Sequence, residues 1–275
     1  MGLERIVVAA DESEAGRLGI RAALAWSVPL GATVTLFHVL PRVPVAALTG
    51  GGANRGHGTD PLTALETWVT AEVAERPGQS VPAIEAGYGL PGIEIPRYAE
   101  LVGAGLLVVG RKPRSMAQRL YEGDTADAVA RRSTVPCLFV RRPLRVPARM
   151  IVAVDGTDRG VRVLQVGCDI ATRLGCRLSG VIVERLHPGE PPGLAGAVPT
   201  ARTAALQRRL NGAIEPLLVR QGDPSTEILK AAHDLSADVI IIGYRRGGPP
   251  GLIEAGSVAR QVAHHAPCAV LTVPL

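Results

Sequence analysis

Aromatic side chains are scarce in this chain, at 3% of 275 residues: two Trp, four Tyr and two Phe. Its core must therefore be built from Val, Leu, Ile and Ala, which suits parallel strands covered by helices on both faces. Lysine is nearly missing too. Lys112 and Lys230 are the only two, so the net charge of +5 and the pI of 9.4 rest on arginine. Those arginines are spread along the chain, with no basic run interleaved with aromatic stacking residues, which argues against a nucleic-acid partner. No apolar stretch approaches the ~20 residues of a membrane span, and MGLER runs directly into a strand. The expectation is a cytoplasmic protein with no membrane partner.

Other absences narrow the chemistry. Cys137, Cys168, Cys176 and Cys268 form no CxxC pair and sit in or beside apolar segments, so they read as small buried residues in a reducing compartment. No HxxxH or Cys/His ligand spacing points to a metal. There is no GxSxG elbow for acyl transfer, no GxxxxGK[ST] loop, and no GxGxxG after the first strand. No set of base, nucleophile and metal-binding carboxylates is evident, so sustained turnover is not expected.

What is present is an internal repeat of half the chain. RIVVAADES at Arg5–Ser13 answers RMIVAVDGT at Arg149–Thr157, an offset of 144 that continues through Gly31 and Gly175. At the later glycines, Gly110/Gly243 and Gly123/Gly256, the offset is 133. Aligning PCLFV with PCAVL takes it to 131. RRPLRVPAR between the copies reads as a linker, giving domains at 1–142 and 149–275. Within each copy strands alternate with helices, which predicts two tandem doubly wound α/β domains, each with a five-stranded parallel sheet. In the first copy the pattern predicts strands over Arg5–Ala10, Val34–Leu40 and Val81–Glu85. It predicts helices over Ser13–Val28, broken by Pro29 and Gly31, over Leu62–Glu75, Ile93–Val102 and Asp124–Arg132. Gly50–Gly58, GGGANRGHG, follows no strand-to-helix junction and reads as a loop excursion.

Ligands of such sheets bind beyond the carboxyl ends of the strands, at the switch point of strand order. Two features fall at that edge in each copy. Asp11 and Asp155 end the first strands, where a carboxylate can accept from ribose hydroxyls or cap the following helix. Gly243 and the Gly256-Ser257 pair bracket a glycine-rich loop, IIGYRRGGPPGLIEAGSVA, that ends at a helix start. Backbone amides and the helix dipole could cradle phosphate there, with Arg245 and Arg246 in support; a turn and a capped helix explain the spacing equally well. His264 and His265 fall near the final helix end, where imidazole complements the dipole.

These features resemble the universal stress protein family, twice over, as a tandem two-domain member of the adenine-nucleotide α-hydrolase-like fold. The likeness rests on the strand-end aspartates, the strand–glycine–loop–GS–helix element and the closing APCAVLTV strand. ATP-binding members carry G-x2-G-x9-G-[ST], which Gly243, Gly256 and Ser257 match while Arg246 holds the middle-glycine place. The resemblance implies ATP, with Mg2+ as its accompanying ion, held mainly in the second domain. Asp155 would lie near the ribose and the Val183 backbone near adenine. Gly256, Ser257 and Val258 would hold phosphates, and Gly247 and Gly251 would supply the flexible part of the cradle. The first copy departs from the pattern, with Pro113 at the middle-glycine place and Asp124 after Gly123; Arg111, Lys112, Arg114 and Arg119 could offset that carboxylate. It reads as a degenerate site. The resemblance also implies that the final strands, Leu138–Arg141 and Ala269–Val273, pair antiparallel within the chain; a homodimer is left open. The alternatives are an interaction module of the same fold that binds no nucleotide, and a slow ATPase.

Overall fold

β1 (Arg5–Ala9) sends Ile6 and Val8 to one apolar cluster and Val7 to another, the mark of a strand covered on both faces. In the computed structural model, which describes residues 2–41, 60–76, 78–111, 125–184, 217–245 and 257–275, the elements that follow alternate between helix and strand. They are α1 (Glu14–Leu30), β2 (Thr33–Leu40), α2 (Pro61–Ala74), β3 (Ala83–Tyr88), α3 (Pro91–Leu101), β4 (Leu106–Gly110), α4 (Thr125–Arg132) and β5 (Cys137–Val140). The second half has β6 (Arg149–Val154), α5 (Asp158–Leu174), β7 (Arg177–Glu184), β8 (Leu217–Gln221), α6 (Pro224–Asp234), β9 (Val239–Tyr244), α7 (Ser257–His265) and β10 (Ala269–Pro274). The Gly50–Gly58 segment lies outside the described residues.

The strands form one ten-stranded sheet in the order β3-β2-β1-β4-β5-β10-β9-β6-β7-β8. Each half is the expected five-stranded parallel sheet, and the order reverses between β1 and β4 and again between β6 and β9. Those are the two switch points. Residues of α1, α2 and α5 line one core cluster, and residues of α3, α4, α6 and α7 line the other. Both clusters run through the two halves without a break.

The halves meet at β5 and β10, which pair antiparallel with Phe139 opposite Val270, Leu138 opposite Leu271 and Cys137 opposite Thr272. The ladders also correct the repeat alignment. Leu107 pairs with Cys137, and its counterpart Ile240 pairs with Val270, so the offset stays at 133 through the last strands. Cys137 therefore answers Val270, and its likeness to Cys268 is a coincidence of two Pro-Cys pairs. At an offset of 133 Leu138 and Leu271 are equivalent residues. The junction is thus centred on a pseudo-two-fold axis through that pair.

Local chemistry explains most boundaries, including two that differ from expectation. Ser13 and Thr157 are the N-caps of α1 and α5, each accepting from the third helical amide, at Gly16 and Gly160. α1 runs through Pro29 to Leu30, because Pro29 falls in the last turn, where it deletes only one internal bond. The stop is Gly31 in the left-handed region, with Gly31 N–H donating to Val28 O and Ala32 N–H to Ser27 O. Gly175 repeats this arrangement after α5. β3 lies later than the pattern suggested, at Ala83–Tyr88, because an edge strand with one partner shows weak apolar alternation. The 142–148 linker is tied down: the Trp26 indole donates to Arg145 O, and the Asp238 carboxylate accepts from the amides of Ala148 and Arg149.

The strand-end glycines are packing residues. A Cβ on Gly110 would lie 1.7 Å from Ala15 O, a backbone atom at the start of α1. On Gly243 it would meet only side-chain ends, Leu275 Cδ1 at 2.9 Å and Val163 Cγ2 at 3.0 Å. Gly110→Ala should therefore cost about 3 kcal/mol or more and Gly243→Ala about 1 kcal/mol, bracketing the usual range for overpacking. Urea unfolding of the two variants checks the order; equal losses would contradict it.

Candidate functional site

The second switch point gathers several of the expected residues. Asp155 follows the last residue of β6, on the rung of Val183 in β7, since Val154 pairs with Ile182. Gly243 stands on the adjacent β9, one rung earlier. Asp155 is not the helix cap. Its Oδ1 accepts from the Thr157 amide at 3.0 Å and hydroxyl at 2.6 Å, so it braces the residue that caps. A Cβ at Gly160 would fall 2.7 Å from that oxygen, which is why the first turn of α5 can lie against the carboxylate. The side chain is exposed, and its second oxygen has no partner among the described residues. Asp11 repeats the arrangement with the Ser13 amide and hydroxyl in the first half.

Val183 and Val258 border the same core cluster, so the end of β7 and the start of α7 share one face of the sheet. β9 ends at Tyr244, and α7, the next described element, begins at Ser257. Gly247, Gly251 and Gly256 lie outside the described residues, as do Lys112, Pro113, Arg114, Arg119, Gly123 and Asp124 of the first half. Among the described residues no cluster of His, Cys, Asp and Glu could hold a metal, and no helix is long and apolar enough to cross a membrane. The cysteines are free, and burial pushes the Cys137 thiol up to about 12.

A second polar constellation lies across the junction, and sequence reading missed it. Arg111, one residue past Gly110, is only 4% exposed. Its guanidinium donates to Ala263 O in α7 at 2.8 Å and lies 3.5 Å from Asp127 Oδ1 in α4. His264 Nε2 is 3.0 Å from Asp127 Oδ2, and Arg260 Nε is 3.4 Å from the same oxygen. Arg141, at the end of β5, donates to His264 O at 2.8 Å and to Ala263 O. The negative end of the α7 dipole is thus met by two arginines of the other half, beside its own His264 and His265, which stand in the last turn as expected. Only the buried charge after a strand-end glycine hinted at this cluster. Its partners are about 16 and 150 residues away in sequence, beyond any local pattern.

Electrostatics in the cluster have a clear sign. Burial raises the Asp127 carboxyl, but His264, Arg111 and Arg260 outweigh it and hold the group below its ordinary value. Burial pushes the Tyr244 hydroxyl up, and the Asp127 charge adds to the shift.

Two halves, each with a braced carboxylate at its switch point, define a tandem α/β protein of doubly wound topology. The chain belongs to the universal stress protein family, whose model matches residues 2–141 and 148–274. A Thermus aquaticus protein, the universal stress protein in the QAH/OAS sulfhydrylase 3' region, is 34% identical over 143 residues. That match covers 45% of this chain and 96% of the relative. Among solved structures, a universal stress protein from Archaeoglobus fulgidus DSM 4304 superposes with a TM-score of 0.72 at 20% identity, over 98% of this chain and 96% of that one. A putative universal stress protein from Pseudomonas aeruginosa UCBPP-PA14 gives 0.67 at 17% identity, over 99% and 94%. Both likenesses concern the fold.

Because the folded-state pKa of Asp127 is depressed, its contribution to stability is complete above the ordinary carboxylate range. It is lost as pH falls through the depressed value. Denaturation midpoints should stay level in this respect from pH 7 to about 5 and then fall. Asp127→Asn should be less stable at pH 7 and show a shallower acid decline. A parallel decline in both proteins would contradict the assignment.

Proposed function

We propose that the protein is an ATP-binding stress or regulatory protein that holds nucleotide mainly in its second half, at the β6–β9 switch point. One observation carries the reading. Asp155 is braced through one oxygen while the other is left without a described partner, at the edge where this topology binds ligands. In this reading Asp155 accepts from a ribose hydroxyl and the Val183 backbone borders adenine. Amides of Gly256, Ser257 and Val258 at the start of α7 take phosphate oxygens, with Gly243, Gly247 and Gly251 shaping the loop. Mg2+ would arrive on the phosphates, with no protein carboxylate set assigned to it. The halves divide at 1–142 and 149–275, and the first serves as a structural partner with a degenerate site. The β5–β10 pairing makes a pseudo-dimer within one chain, in a cytoplasmic protein whose role is binding, with hydrolysis slow at most.

Support for the second half over the first comes from the residues that follow the strand-end glycines. Arg111 donates its guanidinium N–H into the junction, to Ala263 O, while the second half keeps Gly256-Ser257. Calorimetry should show saturable, one-to-one ATP binding by the wild type, lost in Gly256→Glu and weakened by about 1–3 kcal/mol in Asp155→Ala. Equal binding by wild type and Gly256→Glu, or none by either, would overturn the site and favour the interaction module.

A further inference from the structure

The last turn of a helix leaves carbonyls without internal partners, and in α7 those carbonyls are met mostly from the other half. Ala266 N–H takes Val262 O within the second half. Ala263 O receives Arg111 and Arg141, and His264 O receives Arg141. The equivalent helix of the first half, α4, has a local end: Ser133 N–H donates to Val129 O, and Arg132 donates to Ala128 O. The offset of 133 shows why the arrangement runs one way. Arg111 corresponds to Tyr244, which has no fork of N–H donors to reach across, and Asp127 corresponds to Arg260, so the axis brings opposite charges together.

We propose that Arg111 and Arg141 are positioning residues for the ligand-binding end of α7, so that the first half buttresses and tunes the site of the second. α7 has nine residues, from Ser257 at the crevice to His265 at the junction. At 1.5 Å rise per residue, the two ends are only about 13 Å apart. A helix this short is marginal without contacts that fix its ends. Arg111 and Arg141 fix the C-terminal end, and with it the direction in which the first amides of α7 point. Tyr244 supports the same link from β9: it is buried near Asp127 and is the last residue of that strand, the element before α7. By linkage, a ligand that orders the start of α7 strengthens the junction, and loss of the junction weakens the ligand by the same factor.

This proposal rests on the start of α7 being the phosphate end, and its test separates the two. Amide exchange of residues 258–265 is measured on the full-length protein without nucleotide, for wild type, Arg111→Met, Arg111→Lys and Arg141→Met. ATP affinity is then measured by calorimetry on the same proteins. Arg111→Met should speed α7 exchange on the order of tenfold and weaken ATP by a similar factor, leaving α1 exchange unchanged. Arg111→Lys should recover part of both, since one ammonium can still reach Ala263 O. Unchanged α7 exchange in Arg111→Met overturns the buttress whether or not ATP binds. Faster α7 exchange with unchanged ATP affinity overturns the tuning. A wild type that binds no ATP overturns the phosphate reading, while faster exchange in Arg111→Met still upholds the buttress. Should Arg111→Met fail to fold, Arg141→Met, whose side chain is less buried, carries both comparisons.

Discussion

Each half of this chain ends in a strand that the protein cannot leave open. Residues 137–140 of β5 and 269–274 of β10 are buried throughout, so both faces of these strands are covered by side chains. Their inner edges hydrogen-bond to β4 and β9, which leaves one edge each with unspent N–H and C=O groups. A flat, apolar, unpaired edge is an aggregation template, and a buried backbone group without a partner costs as much as a lost hydrogen bond. Pairing β5 with β10 removes both problems at once. The register centred on Leu138 and Leu271 is the one that a repeat-to-repeat contact makes self-complementary. The ten-stranded sheet, the two continuous cores and the proximity of α4 to α7 all follow from that pairing.

Once the halves are joined at equivalent residues, differences between them acquire meaning. Gly19 packs against Gly110 in the first half, where the second has Val163 against Gly243. The first half therefore packs α1 on β4 backbone on backbone, and the second keeps side-chain ends that can shift. After the strand-end glycine, the first half places Arg111 into the junction while the second places Tyr244 there. The braced aspartate survives in both, because its bond to the cap residue serves the fold whatever the ligand. Asp11 and Asp155 alone could not tell the halves apart; the residues one step past the glycines do.

That distinction bears on how much the sequence disclosed. The tandem architecture, the alternation of strand and helix and the first helix stop were legible because they depend on local chemistry: apolar runs of strand length, helical spacing between them, and Gly31 after it. The offset at the last strands misled, since two Pro-Cys pairs look alike while the hydrogen-bond ladder counts residues from the glycine. The braced position of Asp155 was half legible, as cap or ligand; the distances made it the support of the cap, with one oxygen to spare. Arg111 was read as charge in a loop. Its burial and its reach to α7 arise from the junction register, a property of two strands 133 residues apart that no local window contains. The cradle residues Gly247, Gly251 and Gly256 remain a sequence argument joined to the structure only at its two ends, Tyr244 and Ser257.

The junction and the crevice are therefore not independent parts. Asp127 is held ionised by His264, Arg111 and Arg260, so the cluster joins charges from both halves over the end of a single short helix. A buried ion cluster gains little net stability over an apolar one, because desolvation offsets attraction. What such a cluster does supply is geometry, since its bonds are directional and its penalties for misplacement are steep. The geometry here fixes α7, whose other end opens on the second switch point. In the proposed reading the first half, with the Arg111 guanidinium buried against Ala263 and Asp127, is the wall against which the site of the second half is set.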